Sequence, residues 1–168
     1  MHISTKKQSP IQDWQAHLEE KETLDVLDFA TDQFGKQITF ACSFGAEDVV
    51  IVEMLAKLNK DVDIFYLDTH LHFHETYETR DRLADKYGLR FIPVEPELTL
   101  AEQTEQYGGE LWFKQPDLCC NIRKVQPLIK FLQPYSAWIT GIRREQSPTR
   151  AHTQVVEWDE KFQLVKFN

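Results

Sequence analysis

Short apolar runs alternate along the chain with segments in which apolar residues recur every three or four positions. The clearest boundary lies in Ile38–Asp48, ITFACSFGAED, where a strand-favouring run passes through Ser43-Phe44-Gly45 into an apolar run with helical spacing. We predict a buried strand, a small-residue loop and a helix here. Similar runs predict three further strands, at 62–67, 89–94 and 137–142, and one or two short strands in the tail, at 155–156 and 162–167.

Capping residues, prolines and glycines mark the predicted helix boundaries. Residues 1–10 are predicted to form a loose arm, with Ser9-Pro10 at the start of a short helix. Four further helices are predicted from a cap at Thr23 to Gly35, from Ala46 onward, over 73–87 to Gly88, and from a cap at Thr99 to Tyr107. Cys119-Cys120 opens another helical stretch, in which Pro127 predicts a start or a kink. We therefore divide the chain into an N-terminal arm with a short helix, residues 1–22, and one domain, residues 23–168.

The alternation of strands and helices predicts an α/β fold. Near-continuous apolar strands indicate a parallel sheet that helices cover on both faces. Ligands of such sheets bind beyond the carboxyl ends of the strands. Small, polar or charged residues that suit ligand binding follow three of the predicted strands, namely Ser43-Phe44-Gly45, Asp68-Thr69, and Gly141 with Arg143-Arg144. We expect these three ends to converge on one site.

Charge and composition narrow the class of protein. The 168 residues carry a formal net charge of −8, which argues against a general binder of nucleic acid or bilayers but permits a local anion site. We see no membrane-spanning run and no signal peptide, and three cysteines do not make a disulfide framework. We therefore expect a cytoplasmic protein with no nucleic-acid or membrane partner.

The loop after the first strand and the arginines after the fourth are compatible with an anion. A helix N-terminus offers backbone N–H groups to phosphate or sulfate, and the guanidinium groups of Arg143, Arg144 and Arg150 pair with such oxygens. The alternatives are an ordinary strand-to-helix turn with a serine N-cap and a solvated charge cluster. The preceding strand favours anion binding.

Two further motifs suggest metal chemistry. Cys119-Cys120 is either a pair of small hydrophobes, a strained vicinal disulfide, or half of the four cysteines that hold an iron–sulfur cluster, for which Cys42 in a strand is a poor third ligand. His70, His72 and His74 form an HxHxH motif that would hold zinc if it were a strand. Because the motif leads from a strand into a helix, we expect the zinc geometry to fail.

Five blocks of sequence, in order, resemble the assimilatory adenylyl-sulfate and phosphoadenylyl-sulfate reductases. These blocks are SFGAEDVV, LDTHLHFHETYETRDRL, LTLAEQ, LW ahead of CCNIRKVQPL, and WITGIRREQSPTRA. The resemblance runs from about residue 25 to 168. It implies an adenine nucleotide α-hydrolase-like, Rossmann-like fold.

The resemblance also implies a reaction and a site. Adenylyl sulfate (APS) is reduced to sulfite and AMP in cysteine biosynthesis, through an S-sulfocysteine that thioredoxin or glutaredoxin resolves, and enzymes with a Cys-Cys pair bind a 4Fe-4S cluster. The implied cluster ligands are Cys119 and Cys120. The implied substrate-binding residues are Ser43, Phe44 and Gly45 at the phosphosulfate, Leu67 and Thr69 near adenine and ribose, Lys124 near cluster and substrate, and Gly141 with Arg143 or Arg144 downstream.

The chain departs from the family pattern in two places. His70 stands where the family usually has glycine, which lets a backbone approach the nucleotide. The family continues beyond the position of Asn168 through a CxxC motif and the nucleophilic cysteine, so we expect this chain alone to be inactive, with no catalytic residue of its own. Alternatives are a phosphoadenylyl-sulfate (PAPS) reductase without a cluster and a non-catalytic nucleotide-binding module. A homo-oligomer is compatible with either.

Overall fold

A computed structural model describes the backbone of residues 5–168 and the side chains of residues 10–168. The first residues of the predicted arm, 1–4, lie outside the described residues. The strands are β1 Ile38–Ala41, β2 Asp63–Leu67, β3 Phe91–Val94, β4 Ala137–Ile139, β5 Val156–Asp159 and β6 Leu164–Phe167. The helices are α1 Thr5–Leu18, α2 Thr23–Phe34, α3 Ala46–Leu58, α4 His74–Tyr87, α5 Leu100–Tyr107, α6 Leu111–Lys114, α7 Pro116–Cys120 and α8 Gln126–Leu132.

The described strands form a single sheet in the order β3-β2-β1-β4-β6-β5. All neighbouring pairs are parallel except β5 with β6. That pair is antiparallel because a short turn joins the two strands, whereas a parallel pair needs a long crossover. The predicted α/β fold with a parallel sheet is confirmed, and β5 adds an antiparallel edge that the sequence pattern did not specify.

Side chains that alternate along the strands build a core on each face of the sheet. Ile64 and Tyr66 pack with the helices α1 to α4, whereas Phe65 between them packs with Leu132 of α8 on the opposite face. This two-residue period is the pattern expected of a strand that is buried on both sides. The sheet therefore has helices on both faces, as predicted.

Several predicted helix boundaries are confirmed by their caps. Thr99 and Glu102 form a reciprocal capping box at the start of α5, and Gly88 ends α4 in a left-handed conformation with φ 63°. In a capping box two otherwise unpaired backbone N–H groups are satisfied by side chains. Glycine adopts the left-handed conformation without a steric penalty. These local signals are therefore sufficient to place both boundaries.

Two N-terminal boundaries were predicted wrongly. Helix α1 begins at Thr5 and contains Pro10, instead of starting at Ser9-Pro10. Proline removes a single helical N–H, and Ile11 and Leu18 of the same helix are held in the larger core. In α2 the N-cap is Glu22, so Thr23 is the first helical residue and does not cap the helix.

The cysteine pair also lies differently from the prediction. Cys119 and Cys120 end α7, which Pro116 begins, and do not open a helical stretch. A π-helical turn, Asn121–Val125, connects α7 to α8. Pro127 in the first turn of α8 has no N–H to donate to the preceding turn, which is a recognised cause of a local change in helical pitch. The predicted start or kink at Pro127 is confirmed.

Within the described part of the chain, no helix combines the length and apolar character that crossing a bilayer requires.

Truncation of a buried and of an exposed phenylalanine should change the stability of the protein by very different amounts. Phe40 of β1 is completely buried, whereas Phe73 is 82% exposed. We expect Phe40→Ala to lower the free energy of unfolding by about 3–5 kcal/mol, because it leaves a cavity in the core. Phe73→Ala is the control and should change it by less than about 0.5 kcal/mol. Urea unfolding followed by circular dichroism measures both, and equal effects would contradict this description of the core.

Candidate functional site

The loop after β1 is fastened to the first turn of α3 by a buried carboxylate. Oδ2 of Asp48 accepts hydrogen bonds from the backbone N–H of Ser43 (2.5 Å) and from its hydroxyl (2.6 Å). Asp48 is only 5% exposed. Ser43 is therefore not the N-cap of α3, a position that Gly45 occupies without any side-chain capping bond. The ordinary capped turn considered from the sequence is wrong.

Phe44 in the same loop has a left-handed backbone. Its φ is 63°, and its ring contacts those of Tyr66 (5.3 Å between centroids) and Phe91 (5.2 Å). A non-glycine residue in this conformation costs free energy, which the aromatic contacts offset. The loop is thus held in one shape by Asp48 on one side and by the aromatic cluster on the other.

The loop after β2 is organised by a second buried carboxylate. Oδ1 of Asp68 accepts hydrogen bonds from the hydroxyl of Tyr77 (2.7 Å) and the backbone N–H of His70 (3.0 Å). Burial alone would raise the pKa of Asp68, but these hydrogen bonds and the nearby imidazoles of His70 and His72 bring the pKa below its usual value. Asp68 is therefore ionised at neutral pH and holds the loop in place.

His70 has a backbone conformation that is unusual for a residue with a side chain. Its φ is 58°, the left-handed conformation that glycine adopts most easily. Nε2 of its imidazole lies 3.0 Å from Oε1 of Glu95 at the end of the neighbouring strand β3. The backbone of His70 thus adopts a glycine-like conformation, and the imidazole is turned towards Glu95.

A cavity of about 230 Å³ lies beyond the carboxyl ends of β1 and β2. Four of the predicted site residues line it, together with His72, Trp138 and several apolar neighbours; these four are Ser43, Phe44, Leu67 and Lys124. Nε2 of His72 lies 2.7 Å from the carbonyl oxygen of Leu67. No hydrogen bond or ion pair engages Lys124 within the described residues. The cavity is therefore largely apolar, with an available ammonium group on its wall.

Gly141 and Arg143 line a different pocket, of about 380 Å³, at the end of β4. Nε and Nη2 of Arg143 donate to Oε1 of Glu47 at 3.0 and 2.5 Å, and backbone hydrogen bonding together with Arg143 lowers the pKa of Glu47. A Cβ on Gly141 would lie 1.9 Å from Oδ1 of Asp48. Gly141 therefore allows the β4 loop to approach the carboxylate that holds the β1 loop.

The three predicted arginines do not converge. Arg144 donates from Nε to the carbonyl oxygen of Thr153 (2.8 Å) and pairs with Glu19 of α1 (2.7 Å), while Arg150 donates to Gln146. Arg143 is the one arginine of the set that reaches α3. Arg144 and Arg150 instead hold the segment that follows β4.

The cysteines meet only part of the requirement for a 4Fe-4S cluster. Cys119 is buried beside Leu111 and Ile122, and Cys120 is exposed. Burial raises the pKa of the third cysteine, Cys42, to about 12, so its thiol stays protonated. A 4Fe-4S cluster needs four thiolates. The described residues supply two adjacent ones, so a complete cluster does not fit within them.

The HxHxH histidines are separated by their partners. His70 contacts Glu95, His72 contacts the Leu67 carbonyl, and His74 pairs with Glu78 at 3.3 Å. Among the described residues, the three imidazoles therefore do not meet at one point. Asp68, His70 and Glu95 do bring three potential ligand atoms within 4.8 Å of one another, but two of the three side chains are exposed.

Sequence reasoning missed three residues that shape the site. Asp48 and Tyr77 act on the two loops, and Arg123 donates from Nε to the carbonyl oxygen of Thr69 (2.7 Å). Asp48 is detectable in principle, since a carboxylate in the first turn after a small-residue loop can accept loop N–H groups. The partners of Tyr77 and Arg123 lie 9 and 54 positions away, and no local signal indicates them.

Comparison with known proteins adds an independent result. The sequence model of a family described as the phosphoadenosine phosphosulfate reductase domain matches residues 37–168. Adenosine 5'-phosphosulfate reductase 2 of Bacillus subtilis (strain 168) is 50% identical over 146 residues, which are 86% of this chain and 62% of that protein. Adenosine 5'-phosphosulfate reductase of Shouchella clausii is 47% identical over 150 residues, which are 89% of this chain and 62% of that protein.

A solved structure agrees with these matches. The crystal structure of phosphoadenylyl-sulfate (PAPS) reductase from Candida auris, a phosphate complex, superposes with a TM-score of 0.84 at 27% identity, covering 100% of this chain and 80% of that one. The chain thus spans about three fifths of the length of the two curated relatives.

The close approach at Gly141 is testable by adding one methyl group. We expect Gly141→Ala to lower the free energy of unfolding by about 1–3 kcal/mol, because the new Cβ overlaps the hydrogen-bonded Asp48. Gly109→Ala is the matched control, since no atom lies within 4 Å of its added Cβ. Urea unfolding measures both variants. Equal stability of the two would show that Asp48 has room to move.

The Tyr77–Asp68 hydrogen bond predicts a pH-dependent effect. We expect Tyr77→Phe to lower the free energy of unfolding by about 1.5–3 kcal/mol at pH 7, since a hydrogen bond to a charged group is lost. The pKa of Asp68 is lowered in the folded protein, so its contribution is present above the pKa of the unfolded state. That contribution is lost as pH falls through the folded-state pKa.

The difference between wild type and Tyr77→Phe should therefore shrink on acidification. Urea unfolding from pH 7 down to about pH 3, past the usual aspartate pKa of about 3.9, measures it. Tyr107→Phe, at a 41% exposed position, is the control and should show no such dependence. A difference that is constant with pH would exclude Asp68 as the partner.

Proposed function

Because the chain belongs to the phosphoadenosine phosphosulfate reductase domain family, we propose that its cavity beyond β1 and β2 binds an adenine nucleotide with a 5′-phosphosulfate. The observation that carries this proposal is the meeting of Ser43, Phe44, Leu67 and Lys124 at one cavity, although they come from three separate segments of the sequence. Ligands of open α/β sheets bind at this edge. The apolar walls suit adenine, and the unpaired ammonium suits a phosphosulfate oxygen.

We propose adenylyl sulfate as the substrate and sulfite and AMP as the products. The two curated relatives that are 47–50% identical are both named adenosine 5'-phosphosulfate reductases, which supports this choice. The 27% identical solved neighbour is a PAPS reductase, and its name supports the 3′-phosphorylated nucleotide as a second candidate. The reaction would serve assimilatory sulfate reduction and cysteine biosynthesis in the cytoplasm.

The chemistry of the proposed reaction requires two thiols. A thiolate attacks the sulfate sulfur, the bond from sulfur to the phosphate oxygen breaks, and AMP leaves with that electron pair, so that an S-sulfocysteine forms. A second thiol, from thioredoxin or glutaredoxin, attacks the cysteine sulfur and releases sulfite. The resulting disulfide supplies the two electrons. Lys124 would stabilise the negative charge of the phosphosulfate during the first step.

None of the described cysteines is proposed as the attacking thiol. The pKa of Cys42 is about 12, which leaves almost no thiolate at neutral pH. Cys119 and Cys120 are proposed as two of the four thiolate ligands of a 4Fe-4S cluster, whose other two ligands are not among the described residues. Gly45 is proposed to lie at the phosphosulfate and Thr69 near the adenine and ribose. Gly141 and Arg143 are proposed to belong to the downstream nucleotide-binding segment, with Arg143 contacting the ligand after release from Glu47.

Substitution of Lys124 tests whether the cavity binds the phosphosulfate group. We expect the chain to bind adenylyl sulfate and, more weakly, AMP, and Lys124→Met to weaken adenylyl sulfate binding by about tenfold, the equivalent of one charged hydrogen bond. Because AMP lacks the sulfate, the affinity of the chain for AMP should fall less in this variant. Isothermal titration calorimetry measures both ligands, and Lys130→Met, at a 74% exposed lysine paired with Glu97, is the control.

Competition distinguishes the two candidate substrates. Adenosine 3′,5′-bisphosphate should compete poorly with adenylyl sulfate if the 3′-phosphate is not recognised. Strong competition would favour the PAPS reductase alternative. The proposal is wrong if the wild-type chain binds neither adenylyl sulfate nor AMP.

A further inference from the structure

Arg123 is the bulkiest completely buried side chain among the described residues, with 1% of its surface exposed. Its acceptors are neutral oxygens: Nε donates to the Thr69 carbonyl (2.7 Å), and Nη1 donates to Oε1 of Gln103 (3.0 Å) and to the Leu98 carbonyl (3.3 Å). Nη2 has no hydrogen-bond partner. Burial lowers the pKa of the guanidinium, while the nearby Cys119 and Asp68 act in the opposite direction.

The partners of Arg123 belong to separate segments around the site. Thr69 lies in the loop after β2, Leu98 in the connection after β3, and Gln103 in α5. Arg123 itself lies on the π-helical turn that follows Cys119-Cys120 and carries Lys124. A single side chain thus ties the loop at the proposed nucleotide to the segment with the cysteine pair.

Shape as well as charge is needed for this connection. A guanidinium donates in a fixed fork from several nitrogens, whereas a lysine ammonium is a compact point charge on a flexible stem. A buried charge without an ionic partner is destabilising in itself. The contacts that Arg123 makes therefore fix the surrounding backbone segments relative to one another.

We propose that Arg123 is a positioning residue for the nucleotide, fixing the loop at Thr69 relative to Lys124 without contacting the ligand. The inference rests on the proposed function of the cavity. Thr69 is buried, and its hydroxyl accepts a hydrogen bond from the N–H of Leu71 (3.3 Å), so displacement of its carbonyl displaces the following residues. Those residues include His72, which lines the cavity.

The test uses a graded series of variants and AMP as the probe. We expect Arg123→Met to weaken AMP binding by about tenfold or more, Arg123→Lys to restore part of the loss, and Gln103→Leu, which removes one acceptor, to weaken binding by about threefold. Arg82→Met is the control, because the Arg82 side chain is 81% exposed. Calorimetry gives the affinities, and circular dichroism confirms that each variant is folded.

Hydrogen exchange without ligand supplies a second readout. The amides of His70 and Leu71, which are bonded to Asp68 and Thr69, should exchange faster in Arg123→Lys, while those of β1 should not change. If Arg123→Met does not fold, the AMP affinity and the hydrogen exchange of Arg123→Lys and Gln103→Leu still test the positioning role.

The outcomes separate the inference from the function it rests on. A wild-type chain that binds AMP, together with Arg123→Lys and Gln103→Leu variants of unchanged affinity and exchange, overturns the positioning role alone. Faster exchange throughout the sheet would overturn it too, because Arg123 would then stabilise the whole fold. A wild-type chain that binds neither AMP nor adenylyl sulfate overturns both proposals.

Discussion

The buried carboxylate of Asp48 joins the two loops, after β1 and after β4, that carry much of the candidate site. It accepts the N–H and the hydroxyl of Ser43 from the loop after β1, and the bare Cα of Gly141 allows the loop after β4 to lie against its other oxygen. Both loops follow neighbouring parallel strands, so they leave the sheet at the same edge. A buried carboxylate without these donors would be strongly destabilising, which restricts the loop after β1 to a single arrangement.

Charge pairing decides which cations are available at this edge. The chain carries a net charge of −8, and acidic side chains engage Arg143 through Glu47 and Arg144 through Glu19. Lys124 lines the cavity with no such partner among the described residues. A motif search treats these three cations alike, whereas their neighbours make Lys124 the one that an anionic ligand can reach without breaking an ion pair.

His70 illustrates how a side chain is accommodated at a strained backbone position. The position has a left-handed backbone, the conformation that glycine adopts most easily, and His70 adopts it with φ 58°. Hydrogen bonds from its N–H to Asp68 and from its ring to Glu95 stabilise the conformation on both sides. The cost of a non-glycine residue in this region, about 1–3 kcal/mol, is comparable to what two such contacts contribute.

Local sequence patterns were sufficient to predict the fold class, most element boundaries and four of the residues that line the cavity. Strand and helix periods, the Thr99 capping box and Gly88 are local signals, and the Ile38–Asp48 boundary indicated the edge at which ligands bind. These features are readable because backbone conformation depends mainly on residues a few positions apart.

Only the tertiary structure decided which charged groups meet. It separated Arg144 from Arg143, separated the histidines of the HxHxH motif, placed the cysteine pair at a helix end and enclosed Arg123 among three oxygens. Side-chain hydrogen bonds depend on distances of about 3 Å between groups tens of residues apart. Such distances follow from how the elements pack, and no pattern along the chain encodes them.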